Sequence, residues 1–519
     1  MPEPVEEPLT REKAGDEKTA HRGVGRWDDL WIILGSALYL FASLFTFRAT
    51  PFLLGGDQVY FWLYAQRMID GQIIFRDFLQ FTPPGADLVF AGAFRIFGQQ
   101  IWVVNLVALV LGVALAWLCF RIGRAFLSRW EALLATGLFV VLIYGKLLNA
   151  THHWFSALAV LSAVAVLMHC RNQTRIAIGG MLLGLATFFT QTRGPAAFAG
   201  IALYLAWERA QKAQTWREFC KRIALLTGGF AVTWLVLNGY FIATAGLDRM
   251  RYWLVTYLVR YHAHGVNALG LPEDFAWRHA SSYAQVLGVY LLLPIVYAVS
   301  LWSIFGERRN PSPACDPHRL LTLAGVAMTL EVAISPNWLR VYCAAPSGIL
   351  LLVWVTGKLG PVRKYALGLM WLTLLCTVCW GTWSRRREQN TQVQLPAGRT
   401  ETARTAATKL EWIAQHTTPG DFFFQAAWPG VYLPLRLRDP GFVDAFLPTD
   451  ETRPELVKET ISQVESRQVR YILWSPRLNA PYPSARPETY HLGPFRQFMN
   501  QRYRRVMIFP DQDEIWERQ

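Results

Sequence analysis

The chain has 519 residues, 53% of them hydrophobic and only 17% charged, with a mean hydropathy of +0.20. That is too apolar for ordinary soluble domains. A formal net charge of +14 raises nucleic acid as a partner, but the Lys and Arg residues cluster in short connections between apolar runs, as they do where a membrane protein sets its orientation. No nucleic-acid partner is expected.

Twenty-two Trp and nineteen Tyr suit many crossings of the membrane interface, where amphipathic rings settle. In chain order, residues 1–28 form a polar tail expected to be disordered and cytoplasmic. The first apolar run, Leu30 to Phe47, lacks a small-residue cleavage site behind it and reads as a retained anchor. A helical crossing takes about 20 apolar residues. Candidate spans are 29–48, 101–120, 131–147, 151–169, 176–191, 194–207, 221–245, 281–305, 320–335, 339–357 and 364–383. They predict an all-α polytopic membrane protein with about eleven transmembrane helices. The 176–207 stretch as one helix would bury the Arg, Gly and Pro of Gln191-Thr-Arg-Gly-Pro195 in lipid, so two helices joined by that turn are expected.

Loop charges agree with this choice. With the N-terminus inside, the inner connections carry Arg121, Arg124 and Arg129; Arg171 and Arg175; Arg209, Lys212, Arg217, Lys221 and Arg222; Arg308, Arg309 and Arg319; then Lys358, Arg363 and Lys364. The short outer connections carry only Lys146, Arg193 and Arg340, one each. Arg385-Arg386-Arg387 opposes the rule locally, but a long C-terminal region translocates largely regardless of charge.

Residues 29–383 therefore form the membrane unit, with outer loops at 49–100 and 246–280, and residues 384–519 form an extracytoplasmic α/β domain. Its expected elements are helices at 400–416 and 454–468, and extended segments Asp421–Ala427, Tyr471–Pro476 and Val506–Pro510. The expected setting is a bacterial-type inner (plasma) membrane. Seven Cys supply no disulfide framework. The pair Cys376 and Cys379 reads as small buried side chains inside a span.

The first outer loop carries the most chemistry. It opens Gly55-Gly56-Asp57-Gln58-Val59-Tyr60, and Tyr60 and Tyr64 recur on one helical face. Asp57 is placed either to accept a proton from an acceptor hydroxyl or to cap the following helix. Arg193 and Arg340 stand on the outer side, where an Arg either clamps a phosphate through paired hydrogen bonds or anchors at the interface. His153, with His152, opens a span at its outer end and either lines an acceptor cavity or is satisfied by solvent. Glu331, within an apolar run, is a functional candidate or an ion-pair partner of an outer Arg such as Arg340. His262-Ala-His264 has no third ligand nearby, so no metal is expected, and no cofactor.

This arrangement resembles the GT-C superfamily of multi-span glycosyltransferases, which includes the protein O-mannosyltransferases and the lipid A aminoarabinose transferase. The resemblance rests on the D-x-x-Y of Asp57 to Tyr60, the G-x-x-x-x-x-D-F of Gly71 to Phe78, Pro83-Pro84 opening an amphipathic helix, and Phe97-Gly98. It extends to the order of spans and the outer C-terminal domain. It implies a polyprenyl-phosphate sugar donor and a glycan, lipid or protein acceptor, with Asp57 as base and Arg340 and Arg193 at the donor phosphate. Tyr60 and His153 would face the substrates. Gln58 stands where several relatives have a second acidic residue, which leaves Asp77 as the substitute. A transporter or flippase for polyprenyl-linked glycans is the rival reading, but it has no evident need for the carboxylate after the first span.

Overall fold

The apolar runs fold as helices where the hydropathy pattern sets them. The computed structural model describes residues 26–168, 172–211, 214–262, 280–306, 316–333, 338–481 and 487–519. Nearly all of the N-terminal tail, Cys170, Cys315, His264 with residues 263–279, and residues 335–337 lie outside these.

The helices are α1 (Arg26–Leu44), α2 (Gln58–Ile69), α3 (Gly85–Phe97), α4 (Ile101–Gly123), α5 (Arg129–Leu147), α6 (His152–Leu167), α7 (Gln173–Phe189), α8 (Arg193–Ala210) and α9 (Trp216–Ala245). After these come α10 (Ala280–Gly306), α11 (Pro317–Ala333), α12 (Trp338–Gly357) and α13 (Arg363–Glu388). Five helices among the described residues are long and apolar enough to cross a membrane: Trp27–Leu44, Ile101–Gly123, Arg129–Leu147, Trp216–Ala245 and Gly360–Glu388. Shorter apolar helices such as His152–Leu167 and Gln173–Phe189 pack among them.

Local chemistry sets the boundaries. Helices α5 and α9 each begin with a capping box, Ser128 with Glu131 and Thr215 with Glu218, which satisfies two N–H groups reciprocally. The 176–207 stretch breaks as expected, with Thr190 ending α7 and Arg193 opening α8. Helices α7 and α9 meet through small residues. A Cβ on Gly180 would lie 2.1 Å from the Leu226 carbonyl, and one on Gly229 2.3 Å from that of Ala177. Without a hydrophobic drive in lipid, close backbone approach of this kind holds helices together. Cys376 and Cys379, expected buried, are exposed instead. Little of α13 is buried, and its Leu369, Leu372 and Leu375 are turned outward, as on a lipid-facing helix.

The C-terminal segment adds an antiparallel hairpin, β1 (Thr391–Leu395) and β2 (Gly398–Thr402), and a four-stranded sheet of order β3-β4-β6-β5. The sheet strands are β3 (Phe423–Gln425), β4 (Tyr471–Trp474), β5 (Tyr503–Ile508) and β6 (Glu514–Arg518). Strands β3 and β4 run parallel and the other pairs antiparallel. Helices α14 (Arg404–His416), α15 (Pro454–Ser466) and α16 (Gly493–Arg502) complete the α/β unit. Residues 400–402, expected to begin a helix, lie in β2, where Thr400 and Thr402 point inward with Val393 and Leu395.

This unit grips the loop at 49–100. Leu53 N–H donates to the Glu401 carbonyl (2.8 Å), and Glu401 N–H donates to Pro51 (3.0 Å). Ile101 N–H donates to Ala397 (3.0 Å), so the hairpin holds both ends of the loop that carries α2 and α3.

Candidate active site

Asp57 hangs between α1 and α2, just after a turn in which Gly56 takes φ +78°, a conformation costly for any side chain. It sits on the wall of a cavity of about 1110 Å³ between α1, α5, α12 and α13, whose lining also includes Lys146, Asn149, Tyr342, Arg385, Glu388 and Trp428. Most of the remaining wall is apolar, with Leu292, Leu293, Ile349, Leu352, Leu369, Met370 and Trp380. The cavity thus pairs a largely apolar wall with a few charged and polar groups. That lining suits an amphiphile with a hydrocarbon chain and a charged end.

Asp57 is the N-cap residue of α2, yet its side chain makes no capping hydrogen bond. Tyr60 stacks edge-on against Trp428 at 5.3 Å, the residue by which the α/β unit reaches the cavity. Loss of solvation, then the charges of Asp57 and Asp444, push the Tyr60 phenol well above its usual value, so it stays protonated and able to donate.

Two cations on the cavity wall are Lys146 and Arg385. Lys146 is exposed and makes no ion pair among the described residues. Arg385 donates to the carbonyls of Ser43 and Gly145, each at 3.0 Å, and so ties α13 to α1 and α5. The sequence points to Arg193 and Arg340 for the donor phosphate, and in it Arg385 is only part of a run that opposes the loop-charge rule. A lone cation in a short outer connection was the available signal for Lys146.

Arg193 and Arg340 do not line the cavity; Tyr342, two residues beyond Arg340, does. Arg193 is fully buried and pairs with Glu331, Nε to Oε2 at 3.4 Å, and Thr192 also bonds Glu331. Full burial rules out an anchor snorkelling to the interface. Its Nη1 and Nη2 have no hydrogen-bond partner among the described residues. Glu331, expected to pair with an outer Arg such as Arg340, takes Arg193 as its ion-pair partner and also attracts Arg340. His153 is buried within electrostatic reach of both arginines, its ring 3.9 Å from that of His152. These residues bring two arginines, a glutamate and a histidine pair together.

Asp77 stands apart from both groups. Its carboxylate takes two bonds of 2.8 Å from Arg76 and one of 2.7 Å from Ile73 N–H. The Arg76 bond holds its carboxyl below the usual range. It closes a loop, and it is not among the residues lining the cavity.

The buried triad of Arg67, Asp439 and Asp444 went unread in the sequence. Arg67 Nη1 lies 2.5 Å from Asp444 and 3.8 Å from Asp439, joining α2 to the α/β unit. Burial and mutual repulsion hold the carboxyl of Asp439 above the ordinary range, since one cation faces two acids. Asp87, fully buried with Gln80 Nε2 at 3.4 Å, is likewise pushed well up by burial. Among the described residues, no group of three or more His, Cys, Asp or Glu side chains could hold a metal ion.

Residues 82–241 match the family described as dolichyl-phosphate-mannose-protein mannosyltransferase. No curated protein matches the chain by sequence. Among solved structures, ArnT from Cupriavidus metallidurans in the apo state superposes with TM-score 0.59 at 12% identity, covering 94% of this chain and 97% of that one. The same protein bound to undecaprenyl phosphate gives 0.60 over the same shares of the two chains. The archaeal oligosaccharyltransferase AglB from Archaeoglobus fulgidus, in complex with an inhibitory peptide and a dolichol-phosphate, gives 0.51 at 13% identity over 86% of this chain and 69% of that one. Family match and fold point the same way as the resemblance carried by the first loop: the chain has the fold of ArnT, with five helices among the described residues long and apolar enough to cross a membrane.

Proposed function

We propose that this protein transfers a sugar from a polyprenyl-phosphate donor to an extracytoplasmic acceptor, by one displacement that inverts the anomeric carbon. The observation that carries the reading is the shared cavity: a carboxylate just past the first span and a lysine both stand on the wall of one largely apolar cavity. The apolar wall would take the polyprenyl chain. The phosphate would be held by Lys146, with Arg193 and Arg340 as the further cations toward it. Asp57 would accept the acceptor hydroxyl proton as that oxygen bonds the anomeric carbon. The bond from that carbon to the phosphate oxygen breaks, and the lipid phosphate leaves with the electron pair. Neutralising charge on the departing phosphate is where such a site gains most. Tyr60 and His153 would orient the sugars.

The test uses the full chain in nanodiscs with polyprenyl-phosphate sugars labelled in the sugar. Transfer to a membrane or envelope fraction, with inverted anomeric configuration in the product, is the expected result. Movement of intact donor across a bilayer without bond cleavage would instead establish a flippase.

A further inference from the structure

A second polar site lies where α2 meets the α/β unit. A cleft of about 670 Å³ there is lined by Arg67, Arg436, Arg438 and Arg467, with Asp70 and Asp439 as its carboxylates. Arg67 is committed to Asp444 at 2.5 Å. Arg438 reaches Asp70 only at 3.7 Å. The Arg467 side chain makes no ion pair or hydrogen bond among the described residues, its backbone N–H alone donating to the Gln463 carbonyl at 3.1 Å. The guanidiniums of Arg467 and Arg438 lie over one ring, Phe422, at 4.7 Å and 5.9 Å. Burial, then the like charges of Arg67 and Arg438, push the Arg467 guanidinium below its usual value. Guanidiniums gathered around one ring with too few acids are costly to hold together unless an anion is also there.

From this cleft we infer a second substrate subsite, one that takes a phosphate group carried by the acceptor, held in the fork of Arg438 and Arg467 with Arg436 behind. Guanidinium planes favour phosphate, which accepts paired bonds from several forks at once. The volume falls in the range of small-molecule sites, roughly 300–1,000 Å³, so the phosphate is expected to bring sugar or headgroup with it. Arg67 and Asp57 lie on the same helix, ten residues apart, which at 1.5 Å per residue is roughly 15 Å. The phosphate would therefore sit about that far from the reacting hydroxyl. Calling the ligand an acceptor rests on the proposed transferase reading; the binding itself does not.

The experiment measures calorimetric binding of glucose 6-phosphate to the full chain in zwitterionic nanodiscs. Saturable binding is expected, weakened about tenfold to a hundredfold by the double variant Arg438→Gln/Arg467→Gln and retained in Arg340→Ala. Competition from phosphatidic acid added to the discs would assign the phosphate to a lipid headgroup; undiminished binding would assign it to a soluble glycan. Absent binding, binding unchanged in the double variant, or equal binding of glucose or glucuronate would overturn the inference. Loss of binding in Arg340→Ala alone would place the phosphate at the donor site instead, also against it. Failure of sugar transfer with this binding intact would strike only the transferase reading.

Discussion

Replacing Asp57 by Asn separates a base from a helix cap. Asp57 stands at the N-cap position of α2, but its φ of −55° and ψ of −19° are already helical and its side chain makes no capping bond. The usual loss of about 0.5–2 kcal/mol for a removed cap is therefore not at stake. Helix α2 itself loses a negative charge at its N-terminus, about 0.3–1 kcal/mol. Turnover should fall much further, by roughly 10²–10⁴-fold, the usual worth of a positioned general base. Asp57→Glu should recover little, because one methylene moves the carboxylate by about 1 Å. The assay is glycosyl transfer by purified variants in nanodiscs, with donor binding and thermal unfolding measured on the same samples. A variant Asp57→Asn that turns over like the parent would refute the base, whatever its stability.

Other expectations follow from the same geometry. Lys146→Gln should raise the donor KM by about tenfold to a hundredfold, the loss of one charged hydrogen bond, and more than Arg340→Ala does; an unchanged KM would remove Lys146 from the phosphate. Asp444→Ala leaves Arg67 buried against Asp439 alone at 3.8 Å and should cost about 3–5 kcal/mol in unfolding experiments. The triad also sets a pH trend. Asp439 is raised to about 8 in the folded protein, so the folded state holds a proton that the unfolded chain releases near pH 4. Its stabilisation is complete below that pH and is lost as pH rises towards 8. Thermal unfolding should therefore show this slope in the parent and a weaker one in Asp439→Asn. A reporter active only outside the cytoplasm, fused after Gln519, should be active; a silent one would reverse the proposed side of the chemistry.

The helices were legible because hydropathy acts over whole runs, and the break at Gln191–Pro195 because charge in lipid is expensive. The hairpin at 391–402 was not legible. Its inward side chains are Val393, Leu395, Thr400 and Thr402, and two threonines on a buried face carry no hydrophobic alternation. Strand β6 is five residues long with charges at both ends, and it owes its place to pairing with β4 and β5. The candidate site was partly legible: a carboxylate after the first span announces itself by position. The order of the cations did not, because which one faces the cavity depends on helix packing. Arg193 is buried against Glu331 from another helix, while Lys146, in an unremarkable connection, opens onto the cavity. The triad was hidden for the same reason, since Arg67 and Asp444 are 377 residues apart.

The triad has a catalytic consequence as well as a stabilising one. Helix α2 carries Asp57 at one end and Arg67 at the other, and Arg67 is locked by a short buried ion pair to the α/β unit. Over the roughly 15 Å between them, a tilt of about 4° about the Arg67 end displaces Asp57 by about 1 Å. A displacement of that size is enough to cost on the order of 10² in rate. Asp444→Asn keeps the shape of the side chain but removes its charge, so α2 is held by weaker bonds while the fold is retained. Its kcat should drop while the donor KM stays near the parent value, because Lys146 is anchored on α5 and not on α2. Restoring the charge with Asp444→Glu should recover part of the rate. A rise in donor KM with kcat unchanged would show that the ion pair serves the donor cavity directly and does not set the aim of Asp57.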